Sequence, residues 1–412
     1  MSDPTHEPLD DPFLIRDASA NELAWALGDA RAHSLRLFTA FRAALGERLE
    51  VPYGEILNPP LWELGHLGWF EEFWIARNSE RLRGTAARLE AARAAPLLAR
   101  ADALYDSSTV AHARRWHLDL PDAERTLDYI ARVRERSLAL LLQGPQQDSH
   151  ALYFFRLALM HESMHAEAAA MIAQALALDV GAALPCTGPL ASALEGELAV
   201  PASVISVGTE TQGFAFDNEL GAHEVALESF TIDRAPVTWA AVLAFVESGG
   251  YDDAGVWTPA GWAWRRRALP NGLPHHLERS AEGGWRRDAF GRWLDLDPLQ
   301  PAVNLSLHEA QAWCSWAGRR LPTEHEWSVA RTQGGDGFAW GQVWEWTASP
   351  FTPWPGFEAH PYRDYSQPWF DGRPVLKGGS FASAARIKHS AYRNFFEPGR
   401  NDVFAGFRSC GA

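Results

Sequence analysis

Helical periodicity runs through the first 180 residues of this chain and then gives out, and that break limits what the chain can fold into. Before it, apolar residues return every three or four positions, as a helix with one buried face requires. Ser19 and Glu22 have capping-box spacing ahead of Leu23, Leu27, Leu35, Phe38 and Phe41, which predicts a helix near residues 20–45. Pro60 opens a second helix with Leu61, Leu64, Leu67, Phe70 and Trp74 on one face. A third is predicted from Pro121 through Leu127, Ile130, Val133, Leu138 and Leu141. A fourth, apolar over much of its circumference, is predicted from about Ser149 to Leu178. One longer connection separates the second helix from the third, so the simplest architecture for residues 1–180 is an antiparallel four-helix bundle.

From about Gly181 the content of Gly, Pro and Trp rises, and short β-type runs such as 226–233 alternate with turn-rich chain. Residues 181–197 read as a linker, and 198–412 as an α+β domain with short helices at Trp239–Glu247 and Leu307–Ala317, each behind a plausible N-cap. A length of 412 residues agrees with two domains rather than one core. The formal charge of −15 is spread along the chain, which argues against nucleic acid or an anionic membrane as partner and favours a small-molecule substrate. Cys186, Cys314 and Cys410 contain no close pair, so neither a disulfide framework nor a CxxC metal site is implied. The acidic N-terminal stretch has no basic start or apolar core, and no apolar run reaches membrane-spanning length, so a cytoplasmic location is expected.

Within the fourth helix stands His161-Glu162-Ser163-Met164-His165-Ala166-Glu167. Residues four apart share a helical face, so His161 and His165 can bind one ion. Glu167 lies about 200° further round than His165 and is not a third ligand from this helix. The second helix offers His66, set among Trp62, Leu64, Leu67, Trp69 and Phe70, with Gly65 and Gly68 beside it to permit close approach. A lone buried histidine is more often hydrogen-bonded core, but two segments that both face a bundle interior favour a metal. Three imidazoles leave positions open for substrate, which suits zinc hydrolysis and iron–oxygen chemistry equally.

The second domain resembles the formylglycine-generating-enzyme-like (sulfatase-modifying-factor) fold, which is C-type-lectin-like. The matching stretches are 230–251, 301–330, GQVWEWTASPF (341–351), VLKGGSF (375–381) and FAGFRSC (404–410). The first domain resembles the DinB-like bundle through LWELGHLGWFEEFW (61–74) and HESMHAE (161–167). In this order the pair resembles the ergothioneine-type sulfoxide synthases, which use iron(II) and molecular oxygen to join a sulfur donor to C2 of the hercynine imidazole. The resemblance implies Fe(II) ligation by His66, His161 and His165. It also implies a proton- or hydrogen-donating Tyr365 and a substrate wall containing Asn394, Phe395 and Phe396.

Two departures bear on substrate. Met164 stands where many such synthases carry a glutamine that bonds the imidazole, so hercynine would be oriented differently. Phe395-Phe396 replaces the Trp-Asp of members that use γ-glutamylcysteine, which removes a partner for that donor's ammonium group. Arg400 keeps a matching position and can bind an anion. Residues 58–77 look most like the selenoneine synthases, a branch that joins hercynine to a selenosugar donor. The rival expectations are a sulfur-specific synthase using cysteine or γ-glutamylcysteine, a zinc-dependent DinB-like thiol transferase, and a lectin-like binding protein. Formylglycine formation is disfavoured, because it needs a close reactive cysteine pair.

Overall fold

The computed structural model describes residues 10–209 and 213–412. The first half of the acidic N-terminal stretch, residues 1–9, lies outside them. Helix α1 (Ala20–Leu45) begins at the expected capping box: Ser19 Oγ accepts from the Glu22 amide, and the Glu22 carboxylate accepts from the Ser19 amide at 2.7 Å. Helix α2 (Pro60–Glu71) carries Pro60 in its first turn and runs into a π-helical turn, Glu72–Ala76. A short helix α3 (Ala101–Tyr105) lies in the long connection that follows. Helix α4 (Ala123–Gln143) starts two residues later than its proline predicts, because the Asp122 side chain caps it by accepting from the Arg125 amide. Helix α5 (Ser149–Ala175) is capped by Asp148 and stops short of Leu178, where Ala177 takes a positive φ of 52°.

These four long helices pack as a bundle whose interior also holds charge. Arg31 and Arg134 bridge Glu71 of α2 and Glu162 of α5, with N–O distances of 2.6–3.0 Å and all four side chains buried. Such a network is tolerated only because each charge is paired. It fixes the rotation of α2 and α5 about their axes, and those are the helices that carry the histidines.

The second domain is built of small sheets. One has the order β1 (Glu197–Val200), β4 (Phe230–Asp233), β13 (Cys410–Gly411), β8 (Arg319–Arg320). Another has the order β11 (Asn394–Phe395), β10 (Pro374–Lys377), β9 (Trp344–Pro350), β12 (Ala405–Gly406), in which β12 runs parallel to β9. Strands β2 (Ser203–Val207) and β3 (His223–Leu227) form a ribbon, and β5 (Leu277–Arg279), β6 (Trp285–Ala289) and β7 (Arg292–Asp295) a three-stranded sheet. The run 226–233, read as a single β-type stretch, is divided between β3 and β4, which belong to different sheets. Helices α6 (Trp239–Glu247) and α8 (Leu307–Ala317) have the expected bounds, while α7 (Pro259–Ala268) and α9 (Glu324–Gly334) were not expected.

The domains meet along α5. The β6–β7 turn docks on its C-terminal end: Gln174 accepts from the Phe290 amide at 2.9 Å, and a Cβ on Gly291 would lie 2.3 Å from the Ala177 carbonyl oxygen. Only glycine fits there. Among the described residues no helix is long and apolar enough to cross a membrane.

Candidate metal centre

Helices α2 and α5 bring His66, His161 and His165 together, with one ligand atom from each within 4.8 Å of the others. The rings of His161 and His165 lie 4.3 Å apart, and the His66 ring is 5.2 and 4.9 Å from them. His66 and His161 are each only 2% exposed. Neighbouring rings fix their planes. Phe70 stacks on His161 at 3.5 Å, and Trp62 lies parallel to His66 at 4.9 Å.

Hydrogen bonds decide which nitrogens are free. His66 Nδ1 lies 2.8 Å from the Tyr105 carbonyl oxygen, and His165 Nδ1 lies 2.6 Å from Glu63 Oε2. In both cases Nδ1–H donates, leaving the Nε2 lone pair unused. His161 Nε2 is buried with no partner. Three unspent imidazole nitrogens facing one point would be costly without an ion, and outer carbonyl and carboxylate acceptors are the usual supports of metal-bound histidine. The donor set therefore fits a divalent metal.

Burial, reinforced by the neighbouring His165, lowers His66 to about 3, and burial holds His161 well below the ordinary imidazole range. Both are thus neutral and ready to ligate at physiological pH. Burial opposes ionisation of Glu63, but the charge and hydrogen bond of His165 outweigh it and hold the carboxyl down to about 2.

A cavity of about 180 Å³ opens between the domains, next to Glu63 and Met164, the hydrogen-bond partner and chain neighbour of His165. Glu63, Met164 and Glu167 line it from the bundle, and Trp344, Tyr392, Asn394, Phe396, Arg400 and Asp402 from the second domain. Met164, Asn394, Phe396 and Arg400 thus all line this cavity, Met164 from the bundle side, whereas Phe395 points the other way along β11 and stacks on Phe351 at 4.2 Å. Arg400 is not free: it makes two 2.6 Å hydrogen bonds to Asp402. Tyr365 donates to the Tyr392 hydroxyl at 3.1 Å, and Tyr392 donates to Met164 Sδ at 3.1 Å. The ring contacts of Tyr365 are with Phe216, Tyr362 and Phe395, not with a ligand histidine. Tyr362 comes closer. Its ring is 4.9 Å from Phe70 and 6.2 Å from His161, and burial raises both phenols above their ordinary value, so each keeps its proton.

Glu63, Tyr362 and Tyr392 escaped the sequence reading. Glu63 carried a usable signal, since it stands one helical turn before His66. Cys314 and Cys410 are both buried with thiols pushed up to about 12 by burial, and so lack the thiolate character of a reactive pair.

Residues 26–169 match the DinB superfamily, and residues 190–342 and 338–411 match the sulfatase-modifying factor enzyme 1-like domain. The hercynine oxygenase of Mycolicibacterium thermoresistibile is 33% identical over 94% of this chain and 94% of its own length. This chain belongs to the hercynine oxygenase family. The Mycolicibacterium smegmatis hercynine oxygenase is 32% identical over 96% of this chain and 99% of its own. Likeness to the formylglycine-generating enzyme of Streptomyces coelicolor, 33% identical, is confined to 35% of this chain and 50% of that one. The family architecture is thus a DinB helical domain followed by a sulfatase-modifying-factor domain, and the metal triad belongs to the first while most of the cavity wall belongs to the second.

Proposed function

We propose that this member of the hercynine oxygenase family is an iron(II)- and oxygen-dependent enzyme that forms a C–Se bond at C2 of hercynine from a selenosugar, a step of selenoneine biosynthesis. The observation that carries the reading is the triad of imidazoles, His66, His161 and His165, close to a cavity walled by both domains. Bound iron(II) would supply the oxygen activation. In the overall balance the imidazole C2–H and the Se–H hydrogens leave as water with one oxygen atom, and the other stays on selenium as a selenoxide.

The chain's own residues bind, orient and protect. Trp344, Tyr392 and Phe396 offer aromatic faces to the quaternary ammonium of hercynine, each worth ~0.5–2 kcal/mol. Met164 and Asn394 shape the wall that orients the imidazole. Trp62 and Phe70 shield the histidines from bulk water. Tyr362, whose ring is 6.2 Å from His161, and Tyr365, bonded to Tyr392, hold phenolic protons that either can deliver to an oxygen-derived species. Phe396 brings no acid to the wall, and the carboxylates that do line the cavity, Glu63, Glu167 and Asp402, are already engaged by Asn58 and His165, by Trp344, Ser380 and Ser383, and by Arg400, which suits a neutral sugar.

A second reading, C–S bond formation with cysteine or γ-glutamylcysteine, draws its support from the near full-length similarity to the mycobacterial hercynine oxygenases. A zinc thiol transferase would have no use for Trp344, Tyr392 and Phe396 in the cavity wall. Free cysteines suit a reducing cytoplasm. The test is anaerobic loading with iron(II), then hercynine with equal selenosugar and cysteine-type donors in air, with products read by mass. A selenium adduct of hercynine is expected, absent in His161→Ala. A sulfoxide alone would move the chain to the sulfur synthases, and no adduct at all would overturn the chemistry.

A further inference from the structure

The connection between α2 and α4 does more than join two helices. Its 3-10 turn, His112–His117, folds back over the loop that leads into α2. His112 Nε2 is 2.6 Å from the Leu57 carbonyl, Trp116 Nε1 donates to the Val51 carbonyl at 3.1 Å, and Arg115 sits between them.

Arg115 has two arms toward the ligands. On one side its Nη1 donates to Asn58 Oδ1 at 2.7 Å, Asn58 Nδ2 donates to Glu63 Oε1 at 2.5 Å, and Glu63 Oε2 accepts from His165 Nδ1 at 2.6 Å. The polarity of this chain is forced. A guanidinium can only donate, so the Asn58 oxygen must face it and the amide nitrogen must face Glu63. On the other side the guanidinium carbon lies 4.0 Å from the centre of the Trp62 ring, whose own ring stacks on His66 at 4.9 Å and 10°. Trp62 is held edgewise by donating from Nε1 to the Leu104 carbonyl at 2.8 Å.

We infer that Arg115 is a positioning residue for the metal centre, reaching His165 through Asn58 and Glu63 and reaching His66 through the face of Trp62. The inference rests on metal binding by the three histidines and is independent of which chalcogen donor is used. Arg115 fixes the direction of the Asn58 amide, and that amide together with His165 leaves Glu63 one orientation. Without Arg115 the Asn58 oxygen loses its donor, the side chain is free to swing away from Glu63, and the support of His165 is loosened. The planar guanidinium also presses Trp62 against His66, which an ammonium group does less well.

The test uses Co(II) as the metal, bound anaerobically to the full-length protein stripped of metal, with affinity from chelator competition and geometry from the visible absorption bands. Arg115→Met should weaken Co(II) binding by about 10- to 100-fold and change the absorption bands, as loss of outer-shell support does elsewhere. Arg115→Lys retains a donor for Asn58 but not the planar face, so it should fall between. Asn58→Ala cuts one arm only. Adding Arg115→Met to it should cost less than the product of the two single losses, because both act through Glu63. Arg115→Met or Arg115→Lys, whichever folds, binding within about twofold of the parent with unchanged bands would overturn the role. So would single losses that simply multiply. A parent that takes up no Co(II) would overturn the metal centre itself and Arg115's role with it.

Discussion

Two tyrosines three positions apart contend for one task. Resemblance to the sulfoxide synthases points to Tyr365, whereas the geometry brings the Tyr362 ring to 6.2 Å from His161 and engages the Tyr365 hydroxyl with Tyr392. Both phenols are fully protonated at neutral pH, so position decides between them. Tyr362→Phe is expected to keep its metal and lose turnover by roughly 10²–10⁴-fold, the range of a lost proton donor. Tyr365→Phe should lose less, since it frees Tyr392 without removing the phenol beside the triad. Elemental analysis and product mass for the two variants check this, and a deeper loss in Tyr365→Phe would return the role to it. The histidines were legible because helical spacing is a strong code. The tyrosines lie in an irregular Pro-rich stretch with no period, where sequence separation says nothing about which ring turns inward.

Elements were legible in proportion to their apolar stripe. Helices α1, α2, α4 and α5 each bury one, but α7 reads PAGWAWRRRA and α9 reads EHEWSVARTQG, with too few apolar positions to show a period. Helix α9 did carry a capping box, Thr323 with Glu326, which was the available signal. The longer connection around α3, expected only as a link between two helices, supplies the Tyr105 carbonyl to His66. Its seat depends on Gly65, where a Cβ would lie 2.3 Å from the Tyr105 ring. Gly65→Ala must therefore push α3 away, and it is expected to cost ~1–3 kcal/mol in denaturant unfolding and to weaken metal binding at His66. In α8, burial raises the capping-box carboxyl of Glu309 from 4.5 to about 7, against the hydrogen bonds it accepts from Ser306 and Tyr251. Between those two values the folded state keeps a proton that the unfolded state has released, so stability falls as pH rises through this window. The loss should total about 3 kcal/mol. Glu309→Gln should remove that pH dependence, so that the variant gains on the parent from pH 5 to pH 8 in unfolding midpoints. Parallel curves would refute the shift.

At the scale of the whole molecule, one short stretch of α5 serves three neighbours. His161 and His165 face the metal centre, Glu162 faces Arg31 and Arg134 in the bundle interior, and Glu167 faces the second domain. The helical period showed that Glu167 could not be a ligand, but nothing local could show that its partners are Trp344, Ser380 and Ser383, all more than 170 residues away. Trp344 Nε1 donates to Oε1 at 2.9 Å, the Ser380 hydroxyl donates to the same oxygen, and the Ser383 hydroxyl donates to Oε2 at 2.8 Å. Because Glu167 and Trp344 also line the cavity, this junction sets the distance between the histidines and the opposite wall. Glu167→Ala would leave three buried donors facing a void, at a cost of roughly 3 kcal/mol or more. It should also slow turnover, because the wall carrying Tyr392 and Asn394 is no longer anchored to α5. Glu167→Gln keeps the oxygen that Trp344 and Ser380 use and turns its amide to the Ser383 hydroxyl, which can rotate to accept. Its denaturation midpoint is therefore expected close to the parent's. If the two variants unfold alike, the Glu167 junction does not hold the domains together, and the cavity must be shaped by the buried Arg16–Glu219 pair and the half-exposed Arg386–Asp29 pair instead.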